Sequence, residues 1–143
     1  MKEKILVLCT GNSARSQMAE GLLRAALGHR FEIHSAGSKP SRVRPEAIAV
    51  MREIGTDISG HRSKHLDEYL GTEFRYVITV CDHAAETCPV FPGVAERIHW
   101  SFEDPAAVEG DEETRLKAFR HIRDQIAERV RAFAAKLGGG AAS

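Results

Sequence analysis

Short apolar runs alternate with amphipathic segments along most of this 143-residue chain. Lys4–Leu8 has the length and apolar content of a buried strand, and three further strands are predicted over Phe31–His34, Arg75–Val80 and Arg97–Trp100. Apolar residues between and after these runs recur every three or four positions, as they do on one face of a helix. This alternation predicts a single three-layer α/β domain with a four-stranded parallel sheet and helices on both faces.

The helical segments carry recognisable start and stop signals. The first covers Ala14–Leu27 and is followed by Gly28, and the second begins at Pro45 and continues to Ile54. A short helix is predicted over His65–Leu70, and a long last helix starts after Asp111, a favourable N-cap. We expect the domain to span residues 1–137 and the glycine-rich residues 138–143 to form a flexible tail.

Charge and cysteine content narrow the class of protein. Lysine plus arginine equals aspartate plus glutamate, so we expect neither a nucleic-acid partner nor a membrane-surface partner. The first apolar run is too short for a signal peptide or a membrane span, and we expect a cytoplasmic protein. Three cysteines in a reducing compartment are free thiols, metal ligands or redox residues.

The segment from Cys9 to Arg15 is the strongest candidate site. It connects the first predicted strand to the first predicted helix, where backbone N–H groups and the helix N-terminus favour a bound oxyanion. We expect that oxyanion to contact the intervening residues Thr10, Gly11, Asn12, Ser13 and Ala14, together with Arg15. The field that holds an oxyanion also stabilises a thiolate, so Cys9 is a candidate nucleophile.

Individual side chains in this segment suit that chemistry. The planar guanidinium of Arg15 can grip two oxygens of a tetrahedral anion, and the Ser16 hydroxyl can donate to the Cys9 sulfur. Gly11 permits close approach and unusual dihedral angles, and Asn12 tolerates a left-handed backbone. No Gly-Lys-Ser/Thr follows, so this is not a nucleotide-binding P-loop. The alternative is a structural cysteine and an arginine in an ordinary surface ion pair.

Cys9–Glu20, with Gly21 following, resembles the phosphate loop and first helix of low-molecular-weight protein tyrosine phosphatases. It is more similar still to thioredoxin-coupled arsenate reductases of the same fold, and the resemblance extends from Lys4 to about Leu137. The resemblance implies a monomeric enzyme that reduces arsenate to arsenite without a bound cofactor or metal. Thioredoxin would be its external reductant, with glutaredoxin and glutathione less favoured, and phosphate or sulfate would act as substrate analogues.

Cys81 and Cys88 favour the reductases over the phosphatases. The stretch Val80–Pro89 is similar to the redox segment of arsenate reductases, which implies a relay from Cys9 to Cys81 and then to Cys88. If the intervening residues are helical, the two cysteines lie roughly 10 Å apart along the axis. A disulfide needs Cα atoms about 4.4–6.8 Å apart, so oxidation would unwind the helix. The alternatives are two buried structural cysteines, or a zinc site with His83 that lacks the usual ligand spacing.

A later loop supplies the candidate general acid. The resemblance implies that Asp104, followed by Pro105, protonates the oxygen that leaves the tetrahedral centre. Without the resemblance, a turn aspartate before a proline is the simpler interpretation. Ala106 and Ala107 stand where the phosphatases usually carry tyrosines, and this difference weakens aryl-phosphate binding. Ala14 stands where members of the family that the chain resembles often carry a second cysteine within the loop.

Some arsenate reductases hold a potassium ion behind the loop. The matching side chains here are Asn12, Glu20 and Ser35, but Lys64 stands where the ion-binding members have an acidic residue. We therefore expect Lys64 to lie near Glu20 and no potassium to bind; a solvated surface lysine is the alternative.

Two other functions remain open at this point. A phosphatase acting on phosphotyrosine or a small phosphomonoester needs only Cys9, Arg15 and Asp104. A non-catalytic redox or oxyanion sensor would use the thiols to report their state to a partner.

Overall fold

The computed structural model describes residues 2–82 and 89–142. Its strands are β1 (Glu3–Cys9), β2 (Phe31–Gly37), β3 (Tyr76–Thr79) and β4 (Glu96–His99), all parallel and in the order β2-β1-β3-β4. The predicted parallel four-stranded sheet is confirmed. Each strand lies within three residues of its predicted bounds, and the apolar runs of β1 and β3 are buried in the sheet, whereas β4 is mostly exposed.

Three α-helices connect and flank the strands: α1 (Arg15–Leu27), α2 (Pro45–Arg52) and α3 (Glu112–Ala142). The side chain of Asp111 accepts a hydrogen bond from the Thr114 N–H at 2.9 Å, so it caps α3 as predicted. That bond also lowers the pKa of Asp111. Helix α2 ends two residues before the predicted Ile54, because the chain tightens into i to i+3 turns before Gly55, which has a φ of 80°.

The two faces of the sheet are covered differently. The odd-numbered residues of β1 pack with the apolar sides of α1, α2 and α3 in one large cluster. The even-numbered residues Leu6 and Leu8 lie on the other face, beside Phe74 and Phe91 and the 3-10 helix Leu66–Tyr69. Each face of β1 is therefore buried, which accounts for its continuous apolar run.

The topology places the Cys9 segment at a ligand-binding position. From β1 the chain crosses to β2 on one side, and from β2 it crosses back to β3 on the other. Parallel sheets bind ligands outside the strand carboxyl ends at such a reversal. Cys9 ends β1 and Cys81 lies just after the neighbouring β3, so both occupy this edge.

Helix α3 continues past Leu137, where we expected the domain to end, to Ala142. The predicted domain end at residue 137 and the predicted flexibility of residues 138–143 stay predictions. In the described ranges, no helix is both long enough and apolar enough to span a membrane.

Candidate active site

Cys9 lies at the carboxyl end of β1 with only 2% of its surface exposed. Its sulfur accepts a hydrogen bond from the Asn12 N–H at 3.2 Å and lies 2.9 Å from Ser16 Oγ. Ser16 Oγ already accepts from Asn12 Nδ2 at 2.8 Å, so its own proton is available for the sulfur. Two hydrogen-bond donors therefore converge on the Cys9 sulfur.

The peptide groups of the loop are oriented by bonds from outside it. The carbonyl groups of residues 10–13 all accept hydrogen bonds. The backbone N–H groups of Lys39, Ser41 and Arg44 donate to the carbonyls of residues 10, 11 and 13 at 2.9, 3.2 and 2.9 Å. Gln17 Nε2 donates to the carbonyl of residue 12 at 3.1 Å. In a trans peptide the C=O and the following N–H point in opposite directions. The N–H groups of residues 11–14 therefore face the Cys9 side of the loop, as an oxyanion site requires.

The loop needs a left-handed residue, and Asn12 provides it with a φ of 47°. Its side-chain oxygen accepts from Lys64 N at 2.8 Å and from Gln17 Nε2 at 3.0 Å, which fixes the amide orientation. Gly11, where we also expected unusual dihedrals, is not among the positive-φ glycines of the described chain. Hydrogen bonds to its side chain stabilise Asn12 in a conformation that costs most residues about 1–2 kcal/mol.

Arg15 of the loop lies beside Asp104 of a later loop. Arg15 is the first residue of α1, is nearly buried, and donates from Nη1 to the Phe102 carbonyl at 3.1 Å. Its Nη2 lies 3.8 Å from Asp104 Oδ2. The other carboxylate oxygen of Asp104 accepts from the Ala106 N–H at 2.9 Å, and this bond caps the 3-10 turn Pro105–Ala107. The predicted arginine and the predicted acid are therefore neighbours.

Cys81 is fully buried beside the strand that carries Cys9. Its sulfur lies 4.0 Å from the carbonyl oxygen of Leu8, which also accepts from the Val80 N–H at 2.9 Å. Cys81 is disulfide-bonded, whereas Cys9 is a free thiol. Cys88, together with the predicted helix before it and His83 of the alternative zinc site, lies outside the described residues.

Comparison with known proteins identifies the family to which this chain belongs. Residues 4–141 match the low molecular weight phosphotyrosine protein phosphatase family. The chain belongs to that family. Its similarity to an arsenate reductase of Halalkalibacterium halodurans is 46% identity over 133 residues, covering 93% of this chain and 96% of the relative. The predicted resemblance to arsenate reductases within the family is thus confirmed.

Solved structures of family members agree with the fold. An arsenate reductase in the oxidised state has a TM-score of 0.77 at 34% identity, covering 95% of this chain and 98% of that one. A thioredoxin-dependent arsenate reductase of Corynebacterium glutamicum has a TM-score of 0.73 at 27% identity, covering 97% of this chain and 63% of that one. The coverage shows that the family fold accounts for nearly the whole chain.

Two residues that matter to the family loop were not predicted from the sequence. Gly37 ends β2, and a Cβ there would lie 2.4 Å from Thr10 O and 2.9 Å from Cys9 O. Gln17 is fully buried and donates to Asn12 and to the Arg62 carbonyl, at 3.1 Å in the latter case. A glycine in a strand signals a close backbone approach. That signal was available for Gly37, whereas Gln17 has no sequence signature.

Proposed function

We propose that this protein reduces arsenate to arsenite by a relay through Cys9, Cys81 and Cys88, and that thioredoxin regenerates the thiols. The observation that carries the proposal is the position of Cys81. Its sulfur lies 4.0 Å from the carbonyl of Leu8, the residue before Cys9, and it is disulfide-bonded. A phosphatase needs no second thiol at this position.

The first step is attack by the Cys9 thiolate on arsenic. An S–As bond forms, and one oxygen leaves as water after Asp104 has donated a proton to it. The loop N–H groups and the Arg15 guanidinium bind the remaining oxygens, so the negative charge stays compensated while the bond forms. Arsenic is still in the +5 state.

The second step transfers the electrons. The Cys81 thiolate attacks the Cys9 sulfur, and the electron pair of the S–As bond remains on arsenic, which leaves as arsenite in the +3 state. A Cys9–Cys81 disulfide results, so two electrons from two thiolates balance the reduction. As in thiol–disulfide exchange, the attacking thiolate must be able to reach the sulfur that it attacks.

The third thiol is needed because Cys81 is not accessible. Its exposed fraction is 0%, so a protein reductant cannot reach its sulfur directly. Attack by Cys88 on Cys81 would release the Cys9 thiolate and leave a Cys81–Cys88 disulfide. Cys9 is a free thiol while Cys81 is disulfide-bonded, which is the arrangement that this last intramolecular step would leave. Thioredoxin would then reduce that disulfide in the cytoplasm, where it keeps protein thiols reduced.

The test is a steady-state assay that follows arsenate-dependent oxidation of thioredoxin, with NADPH and thioredoxin reductase, and a parallel assay with glutaredoxin and glutathione. We expect many turnovers for the unmodified protein with thioredoxin. The Cys88→Ser variant should stop after one turnover and accumulate a Cys9–Cys81 disulfide, visible by mass spectrometry of the digested protein. Undiminished multi-turnover reduction by Cys88→Ser would refute the relay.

Hydrolysis of an aryl phosphate provides the matched control and tests the second candidate function. Phosphoester cleavage needs only Cys9, Arg15 and Asp104, and the last two are in contact, so a weak phosphatase activity should persist. It should survive in Cys81→Ser and Cys88→Ser, which shows that these variants fold, and disappear in Cys9→Ser. Phosphatase turnover without any arsenate-dependent thioredoxin oxidation would make the phosphatase the function.

A further inference from the structure

Gln17 places a buried amide group behind the loop of residues 9–14. It lies in the first turn of α1, and none of its surface is exposed. Its Nε2 donates to the Asn12 carbonyl at 3.1 Å, to Asn12 Oδ1 at 3.0 Å and to the Arg62 carbonyl at 3.1 Å. Two hydrogens thus serve three acceptors, and two of these acceptors belong to Asn12, the residue with a φ of 47°.

His61 determines the orientation of the Gln17 amide. Burial lowers the pKa of His61, which favours the neutral ring. Arg24 Nη1 lies 3.2 Å from His61 Nε2, and because a guanidinium can only donate, this ring nitrogen is the acceptor. His61 Nδ1 therefore carries the ring hydrogen and donates it to Gln17 Oε1 at 3.0 Å. With Oε1 engaged by His61, Nε2 is turned toward Asn12.

The Asn12 carbonyl is held differently from the other carbonyls of the loop. The carbonyls of residues 10, 11 and 13 each accept from a backbone N–H of the segment from Lys39 to Arg44. No backbone N–H of the described residues donates to the Asn12 carbonyl, which accepts from the Gln17 side chain. Among these four carbonyls, the one between Asn12 and Ser13 therefore belongs to the peptide whose orientation depends on a side chain alone.

This peptide carries the Ser13 N–H, which faces the Cys9 side of the loop. Asn12 has a left-handed backbone, which costs free energy in residues other than glycine. Without Gln17 its buried carbonyl would lose its donor, and rotation of the peptide toward another partner would relieve both costs. That rotation would turn the Ser13 N–H away from a bound anion. The Asn12 N–H, which donates to the Cys9 sulfur, belongs to the preceding peptide, whose carbonyl accepts from Ser41 N.

We propose that Gln17 is a positioning residue for the anion, which holds the peptide between Asn12 and Ser13 so that the Ser13 N–H points at a bound oxyanion. Gln17 contributes to anion affinity and not to the reactivity of the free Cys9 thiol. The proposal rests on this loop being the arsenate site of the proposed function. Phosphate is a tetrahedral oxyanion like arsenate, so inorganic phosphate serves as the probe.

The first test measures phosphate binding from the protection of Cys9 against alkylation. A Cys81→Ser/Cys88→Ser background leaves Cys9 as the remaining thiol. Gln17→Met keeps the length of the side chain and removes its donor, and it should weaken phosphate binding by roughly tenfold or more, because a hydrogen bond to a charged group is lost. Its alkylation rate without phosphate should be unchanged. Ile58→Val removes a methyl group from the same core, controls for lost stability and should alter neither quantity.

The second test follows the backbone amides by proton–nitrogen NMR during a phosphate titration. In the unmodified protein the Ser13 amide proton should shift downfield as it donates to the anion. In Gln17→Met this shift should be lost, while the shifts of the Gly11 and Ala14 amides persist and show that the variant is folded. Gln17→Asn, whose amide is one carbon too short to reach the Asn12 carbonyl, replaces Gln17→Met if that variant does not fold.

Three outcomes would overturn the proposal: unchanged phosphate affinity in Gln17→Met, a Ser13 shift that survives in this variant, or an equal loss of affinity in Ile58→Val. Altered alkylation of Gln17→Met without phosphate would also contradict it, because the effect would then lie in the thiol. Neither readout involves arsenate reduction. A protein that passes both tests and does not oxidise thioredoxin therefore disproves only the proposed function.

Discussion

Arg15 Nη2 lies 3.8 Å from Asp104 Oδ2, although 89 positions separate the two residues in the chain. The guanidinium is nearly buried and the carboxylate is 41% exposed, so the acid stands at the mouth of the loop and the arginine at its base. A tetrahedral anion held by Arg15 would therefore present its outward oxygen to Asp104. This pair links the early loop to the late one, and in the proposed mechanism it places the acid beside the leaving oxygen.

The Asp104→Asn variant should keep the Arg15 position and lose the proton donor. We expect kcat for aryl-phosphate hydrolysis to fall by roughly 10²–10⁴-fold, the usual contribution of a positioned acid. Arsenate reduction should fall as well, with KM less affected. Glu103→Gln, which neutralises the exposed carboxylate next in sequence, serves as control and should retain activity. Equal losses in both variants would assign the effect to the charge of the loop.

The Ser16→Ala variant should impair Cys9 without impairing the fold. A hydrogen bond to a charged group contributes about 1.5–3 kcal/mol, so alkylation of Cys9 below its titration midpoint should slow by at least roughly tenfold. The melting temperature should change little. Ser41→Ala removes an exposed hydroxyl near the same loop and should leave the alkylation rate unchanged. Normal alkylation in Ser16→Ala would mean that the Ser16 hydroxyl does not donate to the thiolate.

Gly37→Ala should distort the loop from behind. The added Cβ would meet three backbone atoms at 2.4–3.0 Å, and backbone atoms cannot move aside as a flexible side chain can. We expect a destabilisation of about 1–3 kcal/mol by urea unfolding, with weaker phosphate inhibition of the activity. Gly60→Ala is the matched control, since nothing lies within 4 Å of its Cβ position. Phosphate inhibition that survives in Gly37→Ala would show that the loop tolerates the displacement.

Acid should destabilise the protein through His61. Burial lowers the pKa of His61 below its ordinary 6.5, so between that value and the lower folded-state pKa the unfolded chain binds more protons. Stability is therefore complete above pH 6.5 and falls as the pH drops through this window. His61→Asn, whose amide can still donate to Gln17, should flatten the fall in unfolding free energy. His29→Asn, at an exposed position, should leave it as steep as before.

The sequence predicted the two central strands well, because β1 and β3 are short apolar runs that are almost entirely buried. It also predicted that the Ser16 hydroxyl would approach the Cys9 sulfur, and the two atoms are 2.9 Å apart because both residues belong to the short segment where β1 leads into α1. Gly37 was missed for the opposite reason. It contacts Cys9, Thr10 and Asn12 from a distant part of the chain, and nothing in a local pattern reveals which distant backbone will approach.

For Lys64, the contact partner was predicted but the local structure was not. The family resemblance indicated that it should lie near Glu20, and the distance of 4.0 Å confirms this. The segment that carries it was predicted only as polar and irregular. Its order comes from bonds to other elements, such as Gly37 N to Lys64 O at 2.9 Å, and such bonds depend on the assembled fold.

The outward carbonyl bonds of the loop have a consequence for selectivity. The loop is stiff because its carbonyl groups are bound by two other parts of the chain, the segment from Lys39 to Arg44 and Gln17 of α1. A stiff loop recognises an anion by its tetrahedral shape and charge. Phosphate shares both with arsenate, and it is therefore expected to enter freely and act as a competitor. Discrimination must then arise after capture, because arsenic can accept the electron pair of its bond to sulfur, whereas phosphorus cannot. The protein would therefore distinguish arsenate from phosphate by whether the bound anion can be reduced, and not by how well the anion fits the loop.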